Sequence, residues 1–191
     1  MTERNRIEYH EQQLSIAIEV GDRAGQGHAY GSLGNAYLFL EDFKQSMEHH
    51  KKSFSITIEL GDRYGEGKVY AHLGLVYKSL GDVQGAIEHY KQSLSIAKEV
   101  GNKSGEGHAY GCLGDAYLSL EQFQQAIEYH KQQLKIAKEV PDMFLEGLAH
   151  EYLGINLMFS DSLDEAVVNF KLSVKAFDTI RGVSFRRMHV K

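Results

Sequence analysis

Tyr30-Gly31-Ser32-Leu33-Gly34-Asn35-Ala36-Tyr37 decides the reading of this chain, because it returns three times at a spacing of 40 residues. Tyr70-Ala71-His72-Leu73-Gly74-Leu75-Val76-Tyr77 and Tyr110-Gly111-Cys112-Leu113-Gly114-Asp115-Ala116-Tyr117 are close copies. His150-Glu151-Tyr152-Leu153-Gly154-Ile155-Asn156-Leu157 is a degraded fourth. The frame around them keeps the same register. Gly21-Asp22-Arg23, Gly61-Asp62-Arg63 and Gly101-Asn102-Lys103 open three blocks, and Pro141-Asp142-Met143 opens the fourth. Self-similarity at a fixed period of 20–50 residues is the mark of a repeat architecture.

Each block reads as two helices. Tyr30, Leu33, Tyr37 and Leu40 step by three and four, as one apolar face of a first helix does, and Phe43, Met47, His50 and Phe54 do the same in a second. Gly61, Gly81 and Gly101 fall where helices end and suit a left-handed terminal cap. Asp22, Asp42, Asp62 and Asp82 follow at N-cap positions, where a short carboxylate accepts from free amides. No sustained period-two alternation points to strands. The reading is helix–turn–helix, four times.

These motifs resemble the tetratricopeptide repeat, in which an aromatic, Leu-Gly and Tyr mark the first helix, and Ala with an aromatic four residues on marks the second. Here the latter pairs are Ala86 and Tyr90, Ala126 and His130, and Ala166 and Phe170, with Ser46 and His50 as the departing copy. The family's proline near the end of the second helix is replaced by Ile58, Lys98 and Lys138. Units of 40 rather than 34 residues resemble those of the Leu-Gly-Asn/Pins group of G-protein-signalling modulators and of the long tetratricopeptide repeat protein 28-like chains. The resemblance implies an all-α, right-handed superhelical α-solenoid. Its expected parts are an orphan second helix at 3–20, repeats at 21–60, 61–100, 101–140 and 141–180, and a basic tail at 181–191.

Composition narrows the function. The chain has 191 residues, 21 basic against 26 acidic, for a net charge of −5, which argues against a nucleic-acid-binding body. A single cysteine, Cys112, excludes an internal disulfide framework and fits a reducing, cytoplasmic setting. No stretch approaches the roughly 18 apolar residues of a membrane span, and no apolar run behind Met1–Arg6 suggests a secretory signal.

Chemistry finds little support. Gly25-Gln26-Gly27 and Gly65-Glu66-Gly67-Lys68 lack the third glycine of a dinucleotide fingerprint, where Tyr30 stands, and the Ser or Thr of a phosphate loop, where Val69 stands. They read instead as small residues that let helices approach. His10, His50 and His130 occupy the aromatic slot of the second helix, and His49 and His50 point apart. One histidine per repeat cannot meet on a single metal, since neighbouring helices lie ~8–10 Å apart and zinc needs ligands at ~2.1 Å. No cofactor, metal or catalytic residue is expected, and the chain does not read as an enzyme.

What remains is the surface of the first helices. If the family geometry holds, these line a concave groove and expose His28, Asn35, Lys68, His72, Lys78, His108, Asp115 and Glu151 over a floor of Gly31, Ala71 and Gly111. Such a row suits side-chain hydrogen bonds to an extended peptide backbone. Asn35 matches the Asn of Leu-Gly-Asn-type repeats, whereas Leu75, Asp115 and Ile155 depart from it. The carboxylate clamp of chaperone-tail binders is not expected, because its first-helix Lys is Gly31, Ala71 or Gly111 here. The expectation is a scaffold holding a partner peptide or domain, in G-protein or cytoskeletal and cell-division signalling.

Two alternatives stand beside it. The segment Arg181–Lys191 resembles one leading into a caspase-like (CHAT) domain, which would make the chain a regulatory piece of a larger enzyme or receptor. Val168 stands where Glu48, Glu88 and Glu128 stand, and Leu172 where Lys52, Gln92 and Gln132 stand. That apolar face, with the N-terminal helix, could support end-to-end self-association.

Overall fold

The computed structural model describes residues 3–188, with side chains described for residues 4–181. The described residues form α1 (Glu3–Glu19), α2 (Arg23–Phe39), α3 (Phe43–Leu60), α4 (Arg63–Ser79), α5 (Val83–Glu99), α6 (Lys103–Ser119), α7 (Phe123–Glu139), α8 (Met143–Phe159) and α9 (Leu163–Met188). No strand occurs among them. The fold is an all-α repeat solenoid. It divides into two compact units, Met1–Val100 with α1–α5 and Gly101–Lys191 with α6–α9.

In the first unit α2 packs on α3 and α4 on α5, α1 lies against α2 and α3 against α4, and the first helices α2 and α4 also touch. In the second, α6 pairs with α7 and α8 with α9, α7 packs on α8, and α6 approaches α8. Each unit is therefore a layer of first helices on a layer of second helices.

The turns follow from local chemistry. Gly21, Gly61, Gly81 and Gly101 hold φ of 66–84°, a left-handed conformation that glycine adopts without a Cβ penalty. Glu41, Glu121 and Asp161 take the same conformation without being glycine. At the helix starts Asp22, Asp42, Asp62, Asp82, Asn102 and Asp142 each accept from the amide three residues on, at 2.8–3.1 Å. The N-cap of α7, Gln122, makes no side-chain hydrogen bond.

The Leu-Gly pair explains the packing. Leu33, Leu73, Leu113 and Leu153 are buried. The glycine after each one faces the ring in the aromatic slot of the paired helix. A Cβ at Gly34 would stand 2.6 Å from His50 Cε1, one at Gly154 2.8 Å from Phe170 Cε1, and Gly74 and Gly114 meet Tyr90 and His130 more closely still. Gly27 likewise admits Ile56, and Gly67 admits Ile96. Gly25 and Gly65 have another role: they lie against the capping carboxylates of Asp22 and Asp62.

The buried stripes differ in detail from the sequence pattern. Leu40 closes α2 at 48% exposed, because the helix ends at Phe39 and turns the side chain outward. The buried face of α2 is Gly27, Ala29, Leu33, Gly34 and Ala36, and that of α3 is Ser46, His50, Ser53, Ile56 and Thr57. Tyr30, Tyr37, Met47 and Phe54 are half-buried flanks of those stripes.

At the ends, Ile16 of α1 is 60% exposed where its counterpart Ile56, covered by α2, is 3% exposed. Val168 and Leu172 on α9 are 55% and 40% exposed. The backbone of α9 stays helical across the expected boundary at residue 180. The side chains of the tail beyond Arg181, and residues 189–191 altogether, lie outside the described residues.

Candidate partner-binding site

The first unit contains a pocket of about 140 Å³ bounded by three helices. Helix α2 presents His28, Gly31, Ser32 and Asn35. Helix α3 supplies Ser53, Ile56 and Thr57 as its floor, and α4 contributes Tyr64, Lys68, Val69 and His72, with Asp62 at its cap. Four of the eight residues expected from sequence thus line one cavity: His28, Asn35, Lys68 and His72.

Small residues open the space. Gly31 carries no side chain above Ser53, whose hydroxyl donates to the Gly27 carbonyl at 2.9 Å and so ties α3 to α2 beneath the pocket. Gly65, lacking a Cβ, leaves room at the start of α4 for the capping carboxylate of Asp62. The walls carry polar groups that stay available. Among the described residues, His28, Ser32 and Asn35 make no side-chain hydrogen bond, and Lys68 has no carboxylate partner. The Lys68 ammonium stands 5.6 Å from the centre of the Tyr64 ring, a cation–π arrangement.

His72 belongs half to the pocket and half to the core. Its ring stacks on His50 with centroids 5.1 Å apart. Burial, aided by Lys68, lowers the His72 pKa to about 4. Burial first, then His72 and His49, lowers that of His50 to about 3. Both imidazoles are neutral at pH 7. Both ring nitrogens of the fully buried His50 lack a hydrogen-bond partner, which leaves the ring a pure packing element.

The other expected residues are placed differently. Lys78 is half-buried near the end of α4, away from the pocket lining. His108 and Glu151 are exposed on α6 and α8 of the second unit. Asp115, expected to be exposed on the groove, is half-buried. Its carboxylate lies 3.9 Å from Nε2 of the buried His130 and, after burial itself, helps raise the Tyr152 pKa. His130 in turn stacks on Tyr152 with centroids 5.0 Å apart and rings 6° from parallel. His49 turns from His50 onto Tyr37, with centroids 5.2 Å apart, as expected for adjacent helical positions.

Sequence reasoning missed Ser32, Ser53 and Tyr64. Ser53 recurs as Ser93 and Ser173, a small polar residue kept in a buried stripe, and that was an available signal. Among the described residues no three His, Cys, Asp or Glu side chains gather as a metal site. None of the described helices is long and apolar enough to cross a membrane.

Two tetratricopeptide repeat family profiles match the chain, one over residues 65–139 and one over residues 27–57, together more than half its length. The chain belongs to the tetratricopeptide repeat family. Its repeats are also similar to G-protein-signaling modulator 1 of Mus musculus, at 49% identity over 39 residues. That match takes in 20% of this chain and 6% of the relative, so the chain spans only a small part of that protein. The solved structure of BtubC from P. vanneervenii superposes with a TM-score of 0.82 at 16% identity, over 94% of this chain and 75% of that one. A Pyrococcus horikoshii signal transduction ATPase with a tetratricopeptide repeat sensor superposes with a TM-score of 0.74 at 24% identity, over 86% of this chain and 25% of that one. At such identities the likeness is one of fold. Tetratricopeptide repeats serve as protein–protein interaction scaffolds and are generally not catalytic.

Proposed function

We propose that the chain is a non-catalytic, cytoplasmic scaffold that holds an extended peptide of a partner protein against α2 and α4 of its first unit. The observation that carries this reading is the pocket between those helices, where His28, Ser32, Asn35 and Lys68 offer donors over the glycine at position 31. An extended backbone presents carbonyls and amides at regular intervals, which such side chains can satisfy. Lys78, His108, Asp115 and Glu151 belong to the proposal as contacts outside this pocket. The local similarity to a G-protein-signaling modulator favours a place in G-protein or cell-division signalling.

The test is affinity capture on the intact chain beside the double variant Asn35→Ala/Lys68→Glu, with circular dichroism to establish that both are folded. Partners lost only with the variant support the reading. Partners retained equally by both would sink it. Because Ile16, Val168 and Leu172 leave apolar surface exposed, self-association is a second reading. It requires a molar mass in solution that rises with concentration, and a constant monomer mass would dismiss it.

A further inference from the structure

We infer that the α2–α4 pocket selects an internal acidic side chain, Asp or Glu, of the bound peptide. This rests on the proposed peptide-binding function and names its ligand chemistry. The argument begins with charge. Lys68 is the one lysine in the pocket wall, and among the described residues no carboxylate pairs with it. Its nearest described partner is the face of Tyr64, which orients the ammonium without neutralising it. Three basic neighbours behave otherwise: Arg23 is bound to Glu59, Lys52 to Glu48, and Arg63 to Glu66 and Glu99. A cation left uncompensated beside a concavity, in a chain of net charge −5, is set for a carboxylate from outside.

The neighbouring donors fit the same ligand. Ser32 offers a hydroxyl, Asn35 an amide and His28 a ring nitrogen, and an ionised carboxylate accepts from all three types. The wall holds one acid of its own, Asp62, and its Oδ1 already accepts from the Gly65 amide at 2.9 Å. That capping bond engages one of its two oxygens at the start of α4. The available volume, about 140 Å³, is of side-chain size, which suits one Asp or Glu tip and not a folded domain.

The experiment pans phage-displayed random 12-residue peptides on the immobilised full chain. Recovered sequences are synthesised with an amidated and with a free C-terminus and titrated against the intact chain, Lys68→Glu, Lys68→Arg and Asn35→Ala. The inference expects Asp and Glu to be enriched at a fixed position. It also expects the amidated peptide to bind as well as the free acid, at least a tenfold loss with Lys68→Glu, and retention with Lys68→Arg. Recovered peptides without acidic enrichment, bound equally by Lys68→Glu but weakened by Asn35→Ala, would overturn the acid preference and leave the peptide-binding function standing. Binding only by the free C-terminal acid would also overturn it, in favour of a terminal carboxylate. If a folded chain recovers no peptide, both the inference and the function it rests on fail.

Discussion

The two units are built on one repeat, yet the first keeps an open polar pocket where the second is filled. In the first, the start of α4 carries Gly65, Lys68 and His72; the corresponding positions of α8 carry Leu145, Leu148 and Tyr152. Leu145 is fully buried, and a Cβ at Gly107 would come within 2.6 Å of its Cδ2, so a leucine occupies the space beside α6. Asn35, exposed and unengaged, corresponds to Asp115, which faces His130. Ser53 corresponds to the larger Gln133, whose amide lies over Gly111. What differs is a handful of side chains on an unchanged frame. In a repeat protein the Leu-Gly and cap positions set the frame, and the variable positions between them decide whether a site exists.

The largest expected effect tests the shared frame. Gly34→Val and Gly114→Val drive a branched side chain into His50 and His130. Each should cost about 3 kcal/mol or more, as severe overpacking does, measured as a lower midpoint in urea unfolding. A loss in only one unit would break the claim that both use the same cradle.

Acid sharpens the contrast next. His50 and His72 titrate near 6.5 when unfolded but at about 3 and about 4 when folded. Between those values the unfolded chain binds more protons, so stability is fully present above pH 6.5 and falls as the pH drops towards 4. The expected loss is on the order of a few kcal/mol, read from urea midpoints across that range. His50→Phe should flatten the profile. An unchanged profile would show that the pair is not the source.

A direct transplant comes third. His72→Tyr gives the first unit the ring that the second carries as Tyr152, and should fill the pocket while keeping the stack on residue 50. Peptide affinity should drop about tenfold, roughly 1.4 kcal/mol, with the unfolding midpoint near that of the intact chain. Full affinity with His72→Tyr would contradict the view that filling separates the units.

The smallest effect concerns the caps, present at α2, α3, α4 and α5 in the first unit and lacking at Gln122 in the second. Gln122→Asp should raise stability by about 1 kcal/mol, and Glu121→Gly, relieving a left-handed residue, by about 0.5–1 kcal/mol. Differential scanning calorimetry would detect both, and no rise for either would show that the turn before α7 is already satisfied.

The frame was legible in the sequence because its constraints are local and recur at 40 residues. Gly61 and Asp62 announce a turn and a cap wherever the block is placed. Four residues of the pocket wall were also legible: register put His28, Asn35, Lys68 and His72 on the first helices, and the family resemblance put those helices on the groove. The floor was not, since Ser53 reaches the pocket only through packing of α3 beneath α2. The packing around Asp115 was hidden for the same reason. Register marks it as a surface polar group, while its partners His130 and Tyr152 come from two other helices.

The most direct test of the central claim is amide-shift mapping by NMR of the isotope-labelled chain on titration with a recovered peptide. The account predicts that the perturbed amides cluster at Gly31, Ser32, Asn35, Lys68 and His72, with the buried Leu145 unmoved. Shifts confined to α1, to α9 or to the second unit, with the α2–α4 pocket silent, would contradict it.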